Sequence, residues 1–203
     1  MAAHDDDAAL LRAWQRGDRP AGSALVSRYT PLLFEFFANK VSSGAEELVQ
    51  QTFVDLAAAH QSIEDDGVRL SFRAFAFTIA RRRLLNHFRS WRRNGARLDP
   101  LEHSVADLVS SPSRAIVATE DARRLNLALK RLPLDAQIVI ELYYWQELPL
   151  AEIAEVIGTA PGTVKSRLAR ARDRLRDLVA EGGPLDEDTL ESMLSALSSP
   201  RER

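Results

Sequence analysis

The side chains able to do chemistry in this chain are few and badly placed for catalysis. The histidines are His4, His60, His87 and His103. No two of them have the spacing on one helix that a metal site with a third ligand nearby requires. There are no cysteines, which excludes disulfides, thiolate metal sites and thiol nucleophiles. No glycine-rich phosphate loop and no nucleophile elbow is present. The paired acids Glu46-Glu47 and Asp65-Asp66 read as solvated or partner-facing. The expectation is a protein that is not an enzyme and needs neither a metal nor a cofactor.

What remains is arginine. Between residues 69 and 97 arginines stand at 69, 73, 81, 82, 83, 89, 92, 93 and 97, with no acid among them. Between 165 and 176 stand Lys165, Arg167, Arg170, Arg172, Arg174 and Arg176 against Asp173 alone. The formal net charge is nevertheless -2, so the rest of the chain is acidic. Two basic elements on an acidic background point to two contacts with a polyanion.

The elements that carry these residues are helical. Apolar residues recur at steps of three and four, and no stretch alternates with period two. Hydrophobic residues make up 45% of the chain and charged residues 28%, as in ordinary globular proteins. No apolar run reaches the roughly 18–20 residues of a membrane span, and the acidic start MAAHDDDAALLRAW is unlike a signal peptide. A cytoplasmic protein with no membrane insertion is expected. The fold class is all-α, with two small helical domains joined by a flexible linker. The first covers 6–93, with helices over about 6–17, 20–40, 44–60 and 70–93. The linker is 94–119, the second domain 120–179, and a tail runs from 180 to 203. The tail opens on a helix stop, Gly182-Gly183-Pro184, and continues with Leu190, Met193, Leu194 and Leu197 on one face. That face is expected to need a packing partner, because so short a helix is marginal alone.

Residues 148 to 178 read as helix, tight turn, helix. Ile153, Ala154, Val156 and Ile157 form an apolar face. Gly158 suits the left-handed backbone that ends a helix, and Pro161 suits the first turn of the next. Val164, Leu168, Ala171, Leu175 and Leu178 then make one buried stripe. Lys165, Arg172 and Arg176 lie on one flank; Arg167, Arg170 and Arg174 lie on the other. A helix-turn-helix puts the first residues of its second helix against base edges. Arginine and lysine pair with guanine there, and later arginines hold phosphates.

The segment LKRLPLDAQIVIELYYWQELPLAEIAEVIGTAPGTVKSRLARARDRLR, from Leu129, resembles the region that reads the minus-thirty-five element in extracytoplasmic-function sigma factors of the sigma-70 superfamily. The resemblance implies base contacts from Lys165, Ser166 and Arg170, with Thr163, Arg167 and Arg172 nearby or on phosphates. Pro149 and Ala160 depart from the family, standing where it usually or often has a Ser or Thr N-cap; a lost cap costs roughly 1 kcal/mol.

The N-terminal half extends the resemblance. AEELVQQTFVDLA, from Ala45, is similar to the family's helix that binds core RNA polymerase. Glu46, Glu47, Gln50, Gln51 and Val54 would face that partner, with Leu48, Phe53 and Leu56 toward the domain core; Gln51 replaces a usual Glu. RLSFRAFAFTIARRRLLNHFRSWRR, from Arg69, resembles the promoter-melting and minus-ten region. Phe72, Phe75, Ile79, Leu84, Phe88 and Trp91 supply its apolar side, while Arg82, Asn86, Arg89 and Arg93 make one polar, basic face. Asn86 stands where the family usually has Asp. A loop at about 61–70 (QSIEDDGVRL) would build the pocket for an unstacked base. The implied partners are core RNA polymerase and promoter DNA, with an anti-sigma factor as a further candidate and a monomer when free. One alternative stays open: a dimeric helix-turn-helix regulator acting on duplex operators.

Overall fold

The computed structural model describes residues 2–62, 71–91, 99–108, 120–181 and 190–194. Its regular structure among these residues is helical, and the one β feature is an isolated bridge between Ser104 and Pro133.

The N-terminal half consists of α1 (Ala2–Gln15), α2 (Arg19–Ala38), α3 (Ala45–Ala59), a 3-10 turn (His60–Ser62) and α4 (Phe72–Trp91). Gly17, at φ 96°, turns the chain between α1 and α2. Asp18 caps α2 by accepting from the Ala21 N–H at 3.3 Å. The two helices approach closely: a Cβ on Gly22 would lie 2.8 Å from the Trp14 ring. Trp14 in turn stacks on His60, centroids 4.1 Å apart. Arg28 holds Asp6 and Asp7 from across the gap, and the Tyr29 hydroxyl donates to Asp7. Burial pushes the Tyr29 phenol well above its ordinary value. The first helix thus begins at residue 2, ahead of the expected residue 6.

The core of this half is built from Leu25, Tyr29, Leu33, Phe37, Leu56, Phe72, Phe77 and Leu84, all essentially inaccessible to water. Phe72, Ile79, Leu84 and Phe88 are buried as expected, and Phe75 and Phe53 pack half-buried against the core.

The C-terminal half consists of α6 (Glu120–Lys130), α7 (Leu134–Tyr144), α8 (Leu150–Ile157) and α9 (Pro161–Ala180). Ile138, Ile140, Leu142, Ile153, Val164 and Leu175 fill its centre. Between the halves, the linker is strapped onto this unit over 99–108. The Leu134 and Asp135 N–H groups donate to the carbonyls of His103 and Pro100 at 2.8 and 2.9 Å. Pro133 cannot cap α7 with its side chain, so two linker carbonyls satisfy that helix start. A single helical turn, α5 (Val105–Leu108), follows, with Val105 fully buried.

The halves pack on each other. Helix α4 lies against α8. The Ser71 hydroxyl donates to Glu152, and Arg73 donates to the Gln146 carbonyl at 2.9 Å. Arg81 places two N–H groups on Asp135 at 2.8 and 3.1 Å. Deepest is Lys40, which pairs with Glu141 and donates to the Phe36 carbonyl at 2.8 Å. Burial pushes the Lys40 amine down and the Glu141 carboxyl up, each shift opposed by the other's charge.

Candidate nucleic-acid interfaces

The helix-turn-helix forms as its residue types require. Gly158 ends α8 at φ 69°, ψ 49°, and the Thr159 N–H returns to the Ala154 carbonyl at 2.9 Å. That left-handed conformation is cheap only for glycine. Pro161 opens α9, and neither Pro149 nor Ala160 makes a side-chain cap bond. Ile153, Ala154, Val156 and Ile157 are buried on α8; Val164, Leu168, Ala171 and Leu175 are buried on α9. At the end of the stripe the residue that buries fully is Val179, with Leu178 only packed against the core.

The start of α9 is open to solvent. Lys165, Ser166 and Arg170 are exposed, and Thr163, Arg167 and Arg172 are half-buried. Arg170 lies back along its own helix, its Nε donating to the Ser166 carbonyl at 3.2 Å. The Ser166 hydroxyl donates to the Thr163 carbonyl at 3.0 Å. These exposed, self-satisfied groups can exchange their contacts for base edges at little cost.

The two flanks of α9 meet different surroundings. Thr163, Arg167, Arg170 and Arg174 border a cavity of about 390 Å³ floored by Leu101 and Leu132. Arg167 stands 3.9 Å from Asp135, the same carboxylate that holds Arg81. On the other flank Arg172 is ion-paired with Glu191 of the tail.

The second basic element is α4. Arg82 and Asn86, with Arg89 one turn further, are exposed on one face, as expected. Arg89 donates to the Asn86 side-chain oxygen at 3.3 Å, and Arg82 reaches Asp55 at 2.9 Å. Arg83 donates to Asp55 through two nitrogens, Nε to one carboxylate oxygen at 2.7 Å and Nη2 to the other. Its hydrogen bond is the main reason the Asp55 carboxyl sits below its ordinary range. Arg93 and residues 63–70 of the expected pocket loop lie outside the described residues.

On α3, Glu46, Glu47 and Gln50 are exposed, Gln51 is half-buried, and Val54 is 66% exposed. Gln51 donates to Glu47 at 2.9 Å. Val54 is thus an open aliphatic side chain among polar neighbours. The face also adjoins α4. Glu47, Gln51, Arg83, Asn86 and His87 line one cavity of about 310 Å³. Burial holds the His87 imidazole below its ordinary value, against the opposing charge of Glu47.

Sequence reasoning did not single out Lys40, Glu141, Asp135 or the separate role of Arg81. Their partners are distant in the chain, and no local pattern marks them. Tyr144 and Trp145, which hold the tail, were also passed over, although the apolar face of the tail did announce that a partner was needed.

Two helical units, one carrying a helix-turn-helix and the other an exposed basic helix face, fit a transcription factor of the initiation type. The chain matches the family models for sigma-70 region 2 over residues 25–94 and for sigma-70 region 4 over residues 122–175. It is 32% identical to the ECF RNA polymerase sigma factor RpoE of Cereibacter sphaeroides, over 84% of this chain and 93% of that protein. It is 27% identical to the ECF RNA polymerase sigma-E factor of Haemophilus influenzae, over 88% of this chain and 98% of that protein. Among solved structures it resembles the sigma factor RpoE of Bartonella quintana, crystallised in complex with the anti-sigma factor NepR. That match has TM-score 0.60 and 26% identity, covering 77% of this chain and 95% of that one. The chain belongs to the extracytoplasmic-function family of RNA polymerase sigma factors, and its function is that of a promoter-specific sigma factor. These relatives give no support to the dimeric-regulator alternative.

Proposed function

We propose that α9 reads the minus-thirty-five element through Lys165, Ser166 and Arg170, with Thr163, Arg167 and Arg172 beside them or on phosphates. Helix α4 engages the minus-ten element through Arg82, Asn86, Arg89 and Arg93. Helix α3 binds core RNA polymerase through Glu46, Glu47, Gln50, Gln51 and Val54. On this reading the chain is not an enzyme: catalysis belongs to the polymerase, and the chain supplies the address and helps open the start site in the cytoplasm. Residues 6–93 and 120–179 are its two working domains, and 94–119 is the connection.

The observation that carries the reading is the exposure of Lys165, Ser166 and Arg170 at the open start of α9, on a helix whose opposite face is fully committed to the core. The anti-sigma factor seen with the Bartonella relative makes such a protein a candidate partner here. Free promoter duplex should bind weakly at physiological salt, because the net charge of -2 gives little non-specific phosphate affinity.

The test is transcription in vitro with purified core polymerase, with and without this protein, on a fragmented genomic library of its host. Discrete new transcripts are expected, and they should vanish when Lys165 and Arg170 are both changed to Ala. Transcripts that persist in that variant would remove the assignment of α9. Absence of both transcripts and polymerase binding would remove the reading of α3.

A further inference from the structure

Residues 190–194 of the tail lie beside the end of α7 and against α9. Leu190 and Leu194 are fully buried, and Met193 packs against the same core. The Trp145 indole N–H donates to the Leu194 carbonyl at 3.1 Å. The Glu191 carboxylate accepts from the Tyr144 hydroxyl at 2.8 Å and is ion-paired with Arg172. Burial, followed by the bond to Glu191, pushes the Tyr144 phenol well up. Residues 190–194 are thus anchored by the buried Leu190 and Leu194 and tied to the end of α7 by hydrogen bonds and to α9 by an ion pair, and their single charge is aimed at an arginine of the recognition helix.

Arg172 is seven residues beyond Lys165, which is nearly two full helical turns. The two therefore share a face of α9, and Arg172 stands where a duplex seated on the exposed start of the helix would present backbone oxygens. The side chains of Arg172 and Glu191 are 30% and 37% exposed. A pair this wet is weakly held and can be exchanged for another anion.

We infer that Glu191 is a built-in stand-in for a DNA phosphate, so that the docked tail competes with promoter DNA for Arg172 and lowers the affinity of the helix-turn-helix for duplex. The carboxylate occupies the guanidinium and also repels an incoming phosphodiester. The apolar contacts of Leu190 and Leu194 keep it at high local concentration, so the competition needs no second molecule. The device rests on the reading of α9 as a DNA-binding helix.

Phosphate contacts do not depend on base sequence, so a fluorescent duplex of random sequence serves as probe for the full-length chain. Binding is followed by anisotropy from about 50 mM salt upward, where non-specific affinity is measurable. Glu191→Gln keeps an acceptor for Tyr144 and removes the charge. It should tighten binding by about two- to fivefold and steepen the salt dependence by about one phosphate. In the Arg172→Ala background the same change should do nothing. Unchanged or weaker binding by Glu191→Gln overturns the inference, as does an equal gain with and without Arg172. If Lys165→Ala and Arg170→Ala also leave affinity unchanged, the reading of α9 falls and the inference falls with it. If they weaken binding while Glu191→Gln has no effect, only the inference fails.

Discussion

Lys40 and Glu141 stand 101 residues apart in sequence and meet as an ion pair with side chains 0% and 3% exposed. The Lys40 amine also lies 3.9 Å from the centre of the Phe36 ring, and Gln137 donates to Glu141 at 2.9 Å. Such a pair gains little net stability from existing, since desolvation offsets its attraction, but losing one member is costly. Lys40→Met should therefore destabilise the protein by about 3–5 kcal/mol. Lys40→Met combined with Glu141→Leu should recover most of that loss. Urea denaturation of the two variants is the check, and a single-variant loss near zero would mean that the halves do not stay packed in solution.

Acid should weaken the fold through His87. Burial holds its folded-state value below that of a free imidazole. The unfolded chain then binds the proton more readily than the folded chain, so stability falls as pH drops below about 6.5. Asp55 has the same sign, but its window opens only as pH falls through the ordinary carboxylate range and extends below it, because the Arg83 hydrogen bond holds its folded-state value down. Melting temperature followed from pH 7.5 to pH 5.5 should decline in the native protein, and more shallowly in His87→Gln. Parallel curves would show that another group governs this range.

The turn of the helix-turn-helix makes a backbone prediction. Gly158 has φ 69°, and a Cβ there would meet nothing within 4 Å. Gly158→Ala therefore adds no clash with neighbours, and its cost is conformational, about 1–2 kcal/mol. Thermal unfolding should show that loss, whereas Gly162→Ala, in the first turn of α9 and equally unobstructed, should not destabilise.

The face of α3 predicts a separation of binding from folding. Val54 is 66% exposed, so Val54→Asp should change the unfolding free energy by no more than about 1 kcal/mol. If the residue sits at the centre of the polymerase contact, affinity for core polymerase should drop at least about tenfold. Native affinity in Val54→Asp would move the contact elsewhere on the surface.

The helices and the helix-turn-helix were legible because each rests on a local rule. Apolar spacing marked the buried stripe of α9, and the Gly158 and Pro161 pair marked its turn. Phe77 was missed on α4, since Phe72, Phe75 and Phe77 offer several overlapping stripes and only packing selects among them; the structure buries Phe72 and Phe77 fully. The run Arg81-Arg82-Arg83 read as one basic block. Its members instead diverge, Arg81 to Asp135 on the other half and Arg82 and Arg83 to Asp55 on α3. Consecutive helical residues point about 100° apart, so a charge run is never a single patch, but which partner awaits each member depends on tertiary contacts. The tail shows the same boundary: the apolar face was visible at Leu190, Met193 and Leu194, whereas the site that receives it is assembled from α7 and α9.

The linker strap governs reach. Seven residues, 92–98, join the end of α4 to Asp99, where the chain is already fastened beside α7. Fully extended, that span covers about 25–30 Å, which caps how far the two halves can part at that point while the strap holds. Peeling off residues 99–108 would add roughly 33–36 Å more. The hydrogen bonds from Leu134 and Asp135 to the linker therefore hold the shorter of two tether lengths between the halves.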